Sequence, residues 1–332
     1  MLIIILSYYN KEINKEINME KSKKLSSQNK INLSSINCHI DALIDNLDIH
    51  NIDKNIDLIL DGGLFNGGYQ MGCILYLKKL ETNKIINIHR ISGCSIGSLL
   101  GFCFLIDKID LCIDNYKKII EYLRENNNLK IFEKILRKIV INDDYCLDKI
   151  NNKLFITYHE IKNTKQIVKN YYESKEELFE TILKSCYIPY IINDELYYKG
   201  NYFDGISPYI FPKSDNRLIF INLISVDKFF ESFIIKNEKN IITRLLTGIV
   251  DIDNLYHNKK TIFCSYIDKW KSYDYIILRL RNILFVLSLV SLEYIIKIYN
   301  NIPDNVKNGY IISNFKIIMK YLCNDFLKCY VL

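Results

Sequence analysis

The feature that most constrains the fold is a pair of strand-like runs, each ending in glycines that open a helix-like pattern. The first run, residues 56–60, is mostly apolar and leads into a cluster of four glycines between positions 62 and 68. The second run, residues 88–92, leads into a glycine turn at residues 93–97. Apolar residues recur at helical spacing after each turn. Two strand–turn–helix units in succession predict an α/β layer fold.

The two turns have different chemistry. Residues 93–97 follow the pattern Gly-x-Ser-x-Gly, in which a sharp strand-to-helix bend projects the serine hydroxyl from the sheet edge. Ser95 is therefore a candidate nucleophile. The first turn leaves the backbone N–H groups of Gly62, Gly63 and Leu64 at a helix start, where they suit a phosphate or a developing oxyanion. A nucleotide-binding P-loop is disfavoured, because no Gly-Lys-Ser/Thr follows.

A third pattern lies about a hundred residues further on. Residues 197–204 alternate loosely and end in Asp204-Gly205. A carboxylate held at a strand end by a glycine turn can take a proton from a serine hydroxyl. Taken alone, Asp-Gly predicts only a turn.

Together these patterns resemble the patatin-like phospholipase family, in which Asp/Ser-Gly-Gly-Gly-x-Arg/Lys-Gly, Gly-x-Ser-x-Gly and Asp-Gly-Gly/Ala follow one another. Residues 61–67, 93–97 and 204–206 fall on the three motifs. Residues 69–75 resemble the helix after the first motif, and residues 185–189 the element before the aspartate. The resemblance covers residues 56–225.

The resemblance implies a three-layer α/β/α sandwich with a mainly parallel central sheet and, here, a helical C-terminal extension. It implies a lipid acyl hydrolase of the phospholipase A type that cleaves acyl esters of phospholipids or glycerolipids through a Ser–Asp dyad, without metal or cofactor. The roles it assigns are nucleophile for Ser95, base for Asp204, oxyanion-hole donors for Gly62, Gly63 and Leu64, and motif glycines for Gly67, Gly93, Gly97 and Gly205.

Three departures from the family pattern bear on activity. Leu64 replaces the third glycine, Asn66 replaces the basic residue, and Ile206 replaces the small residue after Asp-Gly. Leu64 keeps its N–H, provided that its backbone conformation does not require glycine. Asn66 removes a positive charge from the site. These changes leave open a catalytically inactive family member that binds lipid or protein.

A serine–aspartate–histidine triad is a second alternative. His257 follows Asp204 in the order expected of an α/β-hydrolase, but it lies in the polar sequence Tyr-His-Asn-Lys-Lys. That fold also places its serine deeper in the chain. We therefore expect the dyad, with the remaining histidines at the surface or in packing roles: His39, His50, His89 and His159.

Composition limits the partners. The 332 residues carry 44 basic and 38 acidic side chains, and a net charge of +6 is too small to predict a nucleic-acid binder. It is compatible with an anionic membrane surface. Ten cysteines without a Cys-x-x-Cys pair predict reduced thiols, and hence a cytoplasmic protein.

The chain divides into three predicted parts: a low-complexity polar tail (1–50), a catalytic domain (51–225) and a helical region packed on the core (226–332). The apolar start is too short for a signal peptide. The uncharged run 283–292 has ten residues, fewer than the roughly 20 that span a bilayer. Together with Lys21, Lys23 and Lys24, this run predicts peripheral membrane contact, although packing on the core is the simpler interpretation.

Overall fold

The computed structural model of the chain describes residues 33–126, 128–162, 165–193, 195–224 and 241–303. The apolar start, the three lysines of the predicted tail and two parts of the predicted helical region, 226–240 and 304–332, lie outside these residues.

A seven-stranded sheet forms the centre of the protein. Its strands are β1 (Asn55–Leu60), β2 (Asn87–Cys94), β3 (Leu154–Glu160), β4 (Lys165–Lys169), β5 (Tyr202–Phe203), β6 (Arg217–Ile221) and β7 (Cys264–Tyr266). The order is β4-β3-β2-β1-β6-β7, and β5 also pairs with β3. The four middle strands are parallel, whereas β4, β5 and β7 pair antiparallel. The predicted mainly parallel sheet is therefore confirmed.

Helices connect and flank the strands. They are α1 (Leu33–Ile44), α2 (Gly67–Thr82), α3 (Ile96–Leu105), α4 (Ile109–Asn126), α5 (Ile131–Val140), α6 (Lys175–Ser185), α7 (Ile242–Tyr256) and α8 (Ser272–Asn301). Helix α2 connects β1 to β2, as a parallel pair requires. A central sheet flanked by helices confirms the predicted α/β/α class.

Both faces of the sheet are buried. In β1, Leu58 and Leu60 point into the main core, while Ile59 points to the opposite face. That second face has a smaller cluster that includes Phe211 and Phe220. A strand covered on both sides reads as a nearly continuous apolar run, which explains the pattern at 56–60.

Helices α2 and α7 cross with their backbones in contact. A Cβ added at Gly72 would lie 1.9 Å from the carbonyl oxygen of Leu245, and one added at Gly248 would lie 2.0 Å from that of Tyr69. No side chain fits at either position. This glycine crossing brings the first turn of α7 to the start of α2, next to the glycine-rich turn.

Helix α1 differs from the predicted polar tail. Its residues Ile36, Ile40 and Ile44 are buried, and Asp41 forms a 2.8 Å ion pair with Lys79 of α2. The three isoleucines are four positions apart, which places them on one face of a helix. The tail prediction is therefore wrong for residues 33–44, while the division into three parts remains a prediction.

Helix α8 is longer than its uncharged run indicated. Within it, the 27-residue segment Ser272–Ile298 contains an 18-residue window with a mean hydropathy of 1.8, and by length and composition this segment could cross a membrane. The inference from a run of ten residues therefore underestimated the apolar segment. Only 6% of the most apolar window is buried. Core packing covers one side of this helix and leaves the other side exposed.

Candidate active site

Ser95 lies at a sharp bend between β2, which ends at Cys94, and α3, which begins at Ile96. Its backbone has φ 50° and ψ −127°, a conformation that non-glycine residues rarely adopt. Such a bend turns the side chain away from the sheet and is the strained elbow expected of Gly-x-Ser-x-Gly.

Hydrogen bonds from neighbouring side chains hold this bend. The Ser95 N–H donates to Ser185 Oγ at 2.9 Å. Its carbonyl oxygen accepts from Ser98 Oγ at 2.7 Å and from the Cys186 thiol at 3.1 Å. The first two residues of 185–189, a segment predicted only from the family resemblance, therefore stabilise the bend at Ser95.

The glycines of the second motif allow a close approach between the elbow and the end of β1. A Cβ at Gly97 would lie 2.5 Å from the Leu60 carbonyl oxygen, and one at Gly93 would lie 2.5 Å from the Gly97 carbonyl oxygen. Gly62 lies against the elbow, since its added Cβ would lie 3.0 Å from Ser95 Cβ. The two turns predicted from sequence therefore meet.

Strand pairing explains how Asp204 reaches Ser95 from 109 positions away. Strand β2 pairs with β3 only up to Thr157, and β5 pairs with β3 from His159 onward. Because β4 occupies the other edge of β3 there, β5 continues the line of β2. The residue after β5, Asp204, consequently lies beyond the end of β2, beside the Ser95 hydroxyl, which favours the charged form of its carboxylate.

Backbone contacts fix the turn around Asp204. Its Oδ1 accepts from the Ile206 N–H at 2.9 Å, and the Gly205 N–H donates to the Ser185 carbonyl oxygen at 3.0 Å. Ile206 has φ 56°, which is strained for a β-branched residue and explains why a small residue suits this position. Ser185 therefore contacts both the elbow and the Asp204 turn.

The electrostatic environment sets the proton affinity of Asp204. Burial is the largest influence and raises the pKa of its carboxyl from 3.8 to about 7. The nearby Asp61 carboxylate raises this pKa as well. The Ile206 N–H, the Ser95 hydroxyl and the Arg281 guanidinium favour the charged form and lower it. A carboxylate with a pKa near 7 is well placed to exchange protons at neutral pH.

The glycine-rich turn supplies backbone donors unequally. Gly63 has φ 155° and its added Cβ would lie 2.8 Å from Leu223 Cβ, so only glycine fits there. Among the described residues, the Gly63 N–H has no protein acceptor. Burial raises the pKa of the Cys94 thiol, and the nearby Gly62 N–H lowers it; the oxyanion role of Gly62 stays a prediction. Leu64 begins a short 3-10 turn, Leu64–Asn66, which has a backbone allowed for any residue.

Position 66 lacks the family's basic side chain, but a positive charge is present beside it. Arg244, in the first turn of α7, donates from Nη1 to Asn66 Oδ1 and to the Phe65 carbonyl oxygen, both at 2.9 Å. The close crossing of α2 and α7 brings the Arg244 guanidinium next to position 66. The expectation that Asn66 removes a positive charge from the site is therefore wrong.

A second arginine, from α8, pairs with the aspartate that opens the glycine-rich turn. Arg281 donates from Nη1 to Asp61 Oδ2 and from Nη2 to Asp61 Oδ1, both at 2.7 Å. Asp61 is fully buried and also accepts from the Leu223 N–H at 3.3 Å. Burial lowers the pKa of Arg281, but Asp61 more than offsets this effect and the net shift is upward.

Part of the chain matches a known protein family. Residues 58–206 match a family model. The family is the patatin-like phospholipases. This match confirms the resemblance inferred from the motifs, and a patatin-like phospholipase domain indicates lipid acyl hydrolase activity and a lipid substrate. No curated protein matches the chain. The patatin-like segment contains Ser95, Asp204 and both glycine turns, whereas Arg244 and Arg281 lie outside it.

The histidines take two kinds of position. His257 ends α7, where its Nδ1 contacts the Asp253 carbonyl oxygen at 3.0 Å. His159 is buried, stacks on Phe203 and contacts the backbone carbonyl oxygen of Asp204 at 3.0 Å. Burial lowers its pKa. His159 therefore has a packing role, as predicted. It contacts the backbone carbonyl of Asp204 and not the carboxylate.

Little in the amino-acid pattern indicated that the two arginines belong to the site. One signal was available for Arg281, because a cation inside an otherwise apolar helix needs a partner if it is buried. Arg244 carries no such signal in its amphipathic helix. Within the described residues, no group of three or more His, Cys, Asp or Glu side chains could hold a metal ion.

Proposed function

We propose that this protein is a serine lipid acyl hydrolase of the phospholipase A type, with Ser95 as nucleophile and Asp204 as general base. One observation carries the proposal: a serine at a strained strand-to-helix bend lies beside a buried carboxylate, whose charged form its hydroxyl favours. The family match supports the lipid substrate, either a phospholipid or another glycerolipid. The oxyanion donors of the proposal are the backbone N–H groups of Gly62, Gly63 and Leu64.

The reaction proceeds in two steps. Ser95 Oγ attacks the ester carbonyl carbon while Asp204 accepts the hydroxyl proton, and backbone N–H groups stabilise the oxyanion. The C–O bond to the alcohol breaks, and the alcohol leaves with the proton from Asp204. Water then attacks the acyl-enzyme, Asp204 accepts its proton and returns it to Ser95, and a fatty acid leaves.

Labelling with a fluorophosphonate probe tests the nucleophile. The wild-type protein should be labelled at Ser95, and Ser95→Ala should abolish both labelling and ester hydrolysis. Ser92→Ala is a matched control, because Ser92 lies in β2 three residues before Ser95 and its buried hydroxyl has no hydrogen-bond partner among the described residues. A folded wild-type protein that is neither labelled nor active would instead be a catalytically inactive lipid- or protein-binding module.

A second pair of variants separates the dyad from a triad. We expect Asp204→Asn to lose nearly all activity and His257→Ala to keep most of it, since the recorded partner of the His257 ring is Asp253. Activity should rise with pH through about 7, because Asp204 must be ionised to accept a proton. A loss of several orders of magnitude in folded His257→Ala would move the protein to the triad class.

Membrane contact is proposed through α8. Its outer side exposes large apolar side chains from end to end: Tyr273, Tyr275, Ile276, Ile277, Leu280, Ile283, Leu284, Leu287, Val290, Tyr294, Ile295 and Ile298. An exposed apolar surface of this extent marks an interaction site. A bilayer is the occupant we propose, because the same helix contacts the site that would receive a lipid.

Contacts on the inner side of α8 favour an orientation along the membrane surface. Asn282 donates to Ser207 Oγ at 2.7 Å, and Glu293 accepts from the Tyr197 hydroxyl at 2.7 Å. Leu289 is buried against Phe203 and Ile206. The outer two of these anchors, Asn282 and Glu293, are eleven positions apart, or about 16 Å along the helix. A helix held to the domain over this length presents its other side to the interface.

Vesicle sedimentation tests this surface. We expect binding to phosphatidylcholine vesicles that contain phosphatidylglycerol, with release at high salt, because basic residues near an anionic surface are screened. Leu284→Asp should weaken binding at least tenfold, since burying one leucine contributes about 1.5–3 kcal/mol. Ile49→Asp, at an exposed apolar residue far along the chain, is the control. If Leu284→Asp leaves vesicle binding unchanged, the exposed side of α8 would not contact the membrane. It would instead be a contact surface for residues 304–332 or for a second copy of the chain.

The division into a catalytic domain (51–225) and a C-terminal helical region (226–332) belongs to the same proposal, as does the cytoplasmic location. Arg244 and Arg281 support a C-terminal region that is packed on the catalytic domain and contributes to its site.

A further inference from the structure

Arg281 joins the start of the glycine-rich turn to the turn that carries Asp204. Its guanidinium forms two 2.7 Å hydrogen bonds with Asp61, the residue before the glycine-rich turn. The same Nη2 lies 3.3 Å from the carbonyl oxygen of Ile206, the residue whose N–H donates to Asp204. Only 19% of the Arg281 side chain is exposed, against none of the Asp61 side chain. The pair is therefore held inside the site.

Asp61 itself is poorly placed to act as the base. Its two carboxylate oxygens accept from the guanidinium, from the Leu223 N–H and, at 3.9 Å, from the Cys94 thiol. A carboxylate engaged in this way has no free position for a substrate proton. Its negative charge nevertheless lies close enough to Asp204 to raise the pKa of that carboxyl.

We propose that Arg281 is a positioning residue for the reaction, which neutralises Asp61 and orders the Ile206 turn so that Asp204 stays ionised and aimed at Ser95. The inference rests on the proposed function. It extends the site beyond the patatin-like segment to a residue that the family match does not cover.

The charged and titratable groups around Asp204 support this role. They come from separate elements and comprise Asp61 after β1, Cys94 at the end of β2, His159 in β3, Cys186 after α6 and Arg281 in α8. The only cation among them is Arg281, if His159 is neutral as its lowered pKa indicates. Without Arg281, the uncompensated charge of Asp61 would act on Asp204 and favour its protonation.

The test uses the full chain and the pH dependence of fluorophosphonate labelling. Arg281→Met should move the acidic limb of the labelling rate upward by one pH unit or more, since a nearby arginine typically lowers a carboxyl pKa by about 1–3 units. At pH values below the limb, labelling should therefore slow about tenfold or more. Arg281→Lys should keep most of the wild-type limb, because the charge remains.

Two further variants separate positioning from structural support. Arg279→Met, which removes an exposed cation two positions away, should leave the limb unchanged. Asp61→Asn combined with Arg281→Met removes both charges and should return the limb towards that of the wild type. An unchanged limb in folded Arg281→Met, or an equal shift in Arg279→Met, would overturn the proposal.

A measurement without turnover distinguishes this inference from the proposed function. The effect of Asp204→Asn on the thermal midpoint is recorded against pH in the presence and absence of Arg281→Met. The pH at which this effect stops growing should rise when Arg281 is replaced, whether or not the protein is a hydrolase, because the folded pKa of Asp204 sets that limit. A wild-type protein that is not labelled contradicts the hydrolase, while an unmoved stability profile contradicts the role of Arg281.

Discussion

The patatin-like segment and the two C-terminal helices meet at one site, but they contribute different kinds of group. The segment provides a hydroxyl at a strained bend, a buried carboxylate and backbone N–H groups in a glycine turn. Helices α7 and α8 provide two guanidinium groups, on Arg244 and Arg281, which contact the glycine turn from outside.

This difference follows from what each group requires. A nucleophile and its oxyanion donors depend on backbone geometry, which only a short continuous sequence with particular glycines can form. A compensating charge needs only to reach its partner, and a long arginine side chain can do so from any neighbouring element. The charges around a site are therefore freer to change position in the chain than the reacting groups.

The largest effect on stability is expected from Asp204→Asn. The folded pKa of about 7 exceeds the ordinary 3.8, so the folded state binds the proton more tightly than the unfolded state. The free energy of unfolding of the wild type therefore falls as pH rises from about 4 to 7, and this cost persists above pH 7. The variant should match the wild type near pH 4 and exceed it by up to about 4 kcal/mol at pH 8.

Urea unfolding at the two pH values measures this difference. Equal stabilisation at both pH values would mean that burial does not raise the pKa of Asp204, and that the site does not hold a carboxylate tuned to neutral pH. Stabilisation by loss of a catalytic group would be the usual trade-off between stability and function.

Gly63→Ala should have the next largest effect. The added methyl meets Leu223 Cβ at 2.8 Å in a backbone conformation that alanine rarely adopts. Displacing one oxyanion donor typically costs a factor of about 100–1,000 in rate, or roughly 3 kcal/mol. Probe labelling and hydrolysis measure the loss. Gly200→Ala is the control, because that glycine also has a positive φ but no atom within 4 Å of its added Cβ. Full activity in Gly63→Ala would remove this turn from the site.

The site could be predicted where its geometry is local. Ser95 was identifiable because the strand, the bend and the helix follow one another within about twenty residues. Asp204 needed the family resemblance, since nothing in an Asp-Gly pair reveals that β5 continues the line of β2. The arginines were not predicted, because their contacts depend on how α7 and α8 pack and no sequence spacing encodes that.

The fold divides in the same way. The strands next to glycine turns, β1 and β2, were predicted from their own sequence, whereas the central strand β6 was not. Its sequence, Arg-Leu-Ile-Phe-Ile, is a short apolar run that periodicity alone cannot assign to a strand or a buried helix. The apolar length of α8 was underestimated because two arginines interrupt its apolar sequence, and the partner of Arg281 lies 220 positions away.

Gly248→Ala tests the packing that brings α7 to the site. The added methyl would lie 2.0 Å from the Tyr69 carbonyl oxygen, which is backbone and cannot move aside cheaply. Overpacking of this kind typically costs about 1–3 kcal/mol. Thermal unfolding should show the loss, with Gly200→Ala again as control. A variant as stable as the wild type would mean that α2 and α7 do not cross as described, and Arg244 would lose its place at the site.

Replacing Arg244 should have the smallest effect of these substitutions. It tests whether a cation from α7 can take the place of the family's basic residue at position 66. Its guanidinium hydrogen bonds with Asn66 and Phe65 contribute about 1–2 kcal/mol, partly retained because the Phe65 carbonyl also accepts from the Tyr116 hydroxyl at 3.1 Å. We expect Arg244→Leu to slow labelling about tenfold or less and to lower the thermal midpoint slightly.

Asn66→Lys in the Arg244→Leu protein returns a basic residue to the position where the family has one. If the charge matters and its origin does not, this second substitution should recover most of the labelling rate, although Asn66 is buried and lysine must find room. Arg244→Lys is the companion variant, because it keeps a charge on α7 but loses the fork of the guanidinium. Recovery by both lysine variants would establish that the glycine turn needs a cation from either element. Slow labelling in both would mean that α7 contributes hydrogen-bond geometry at the turn rather than charge.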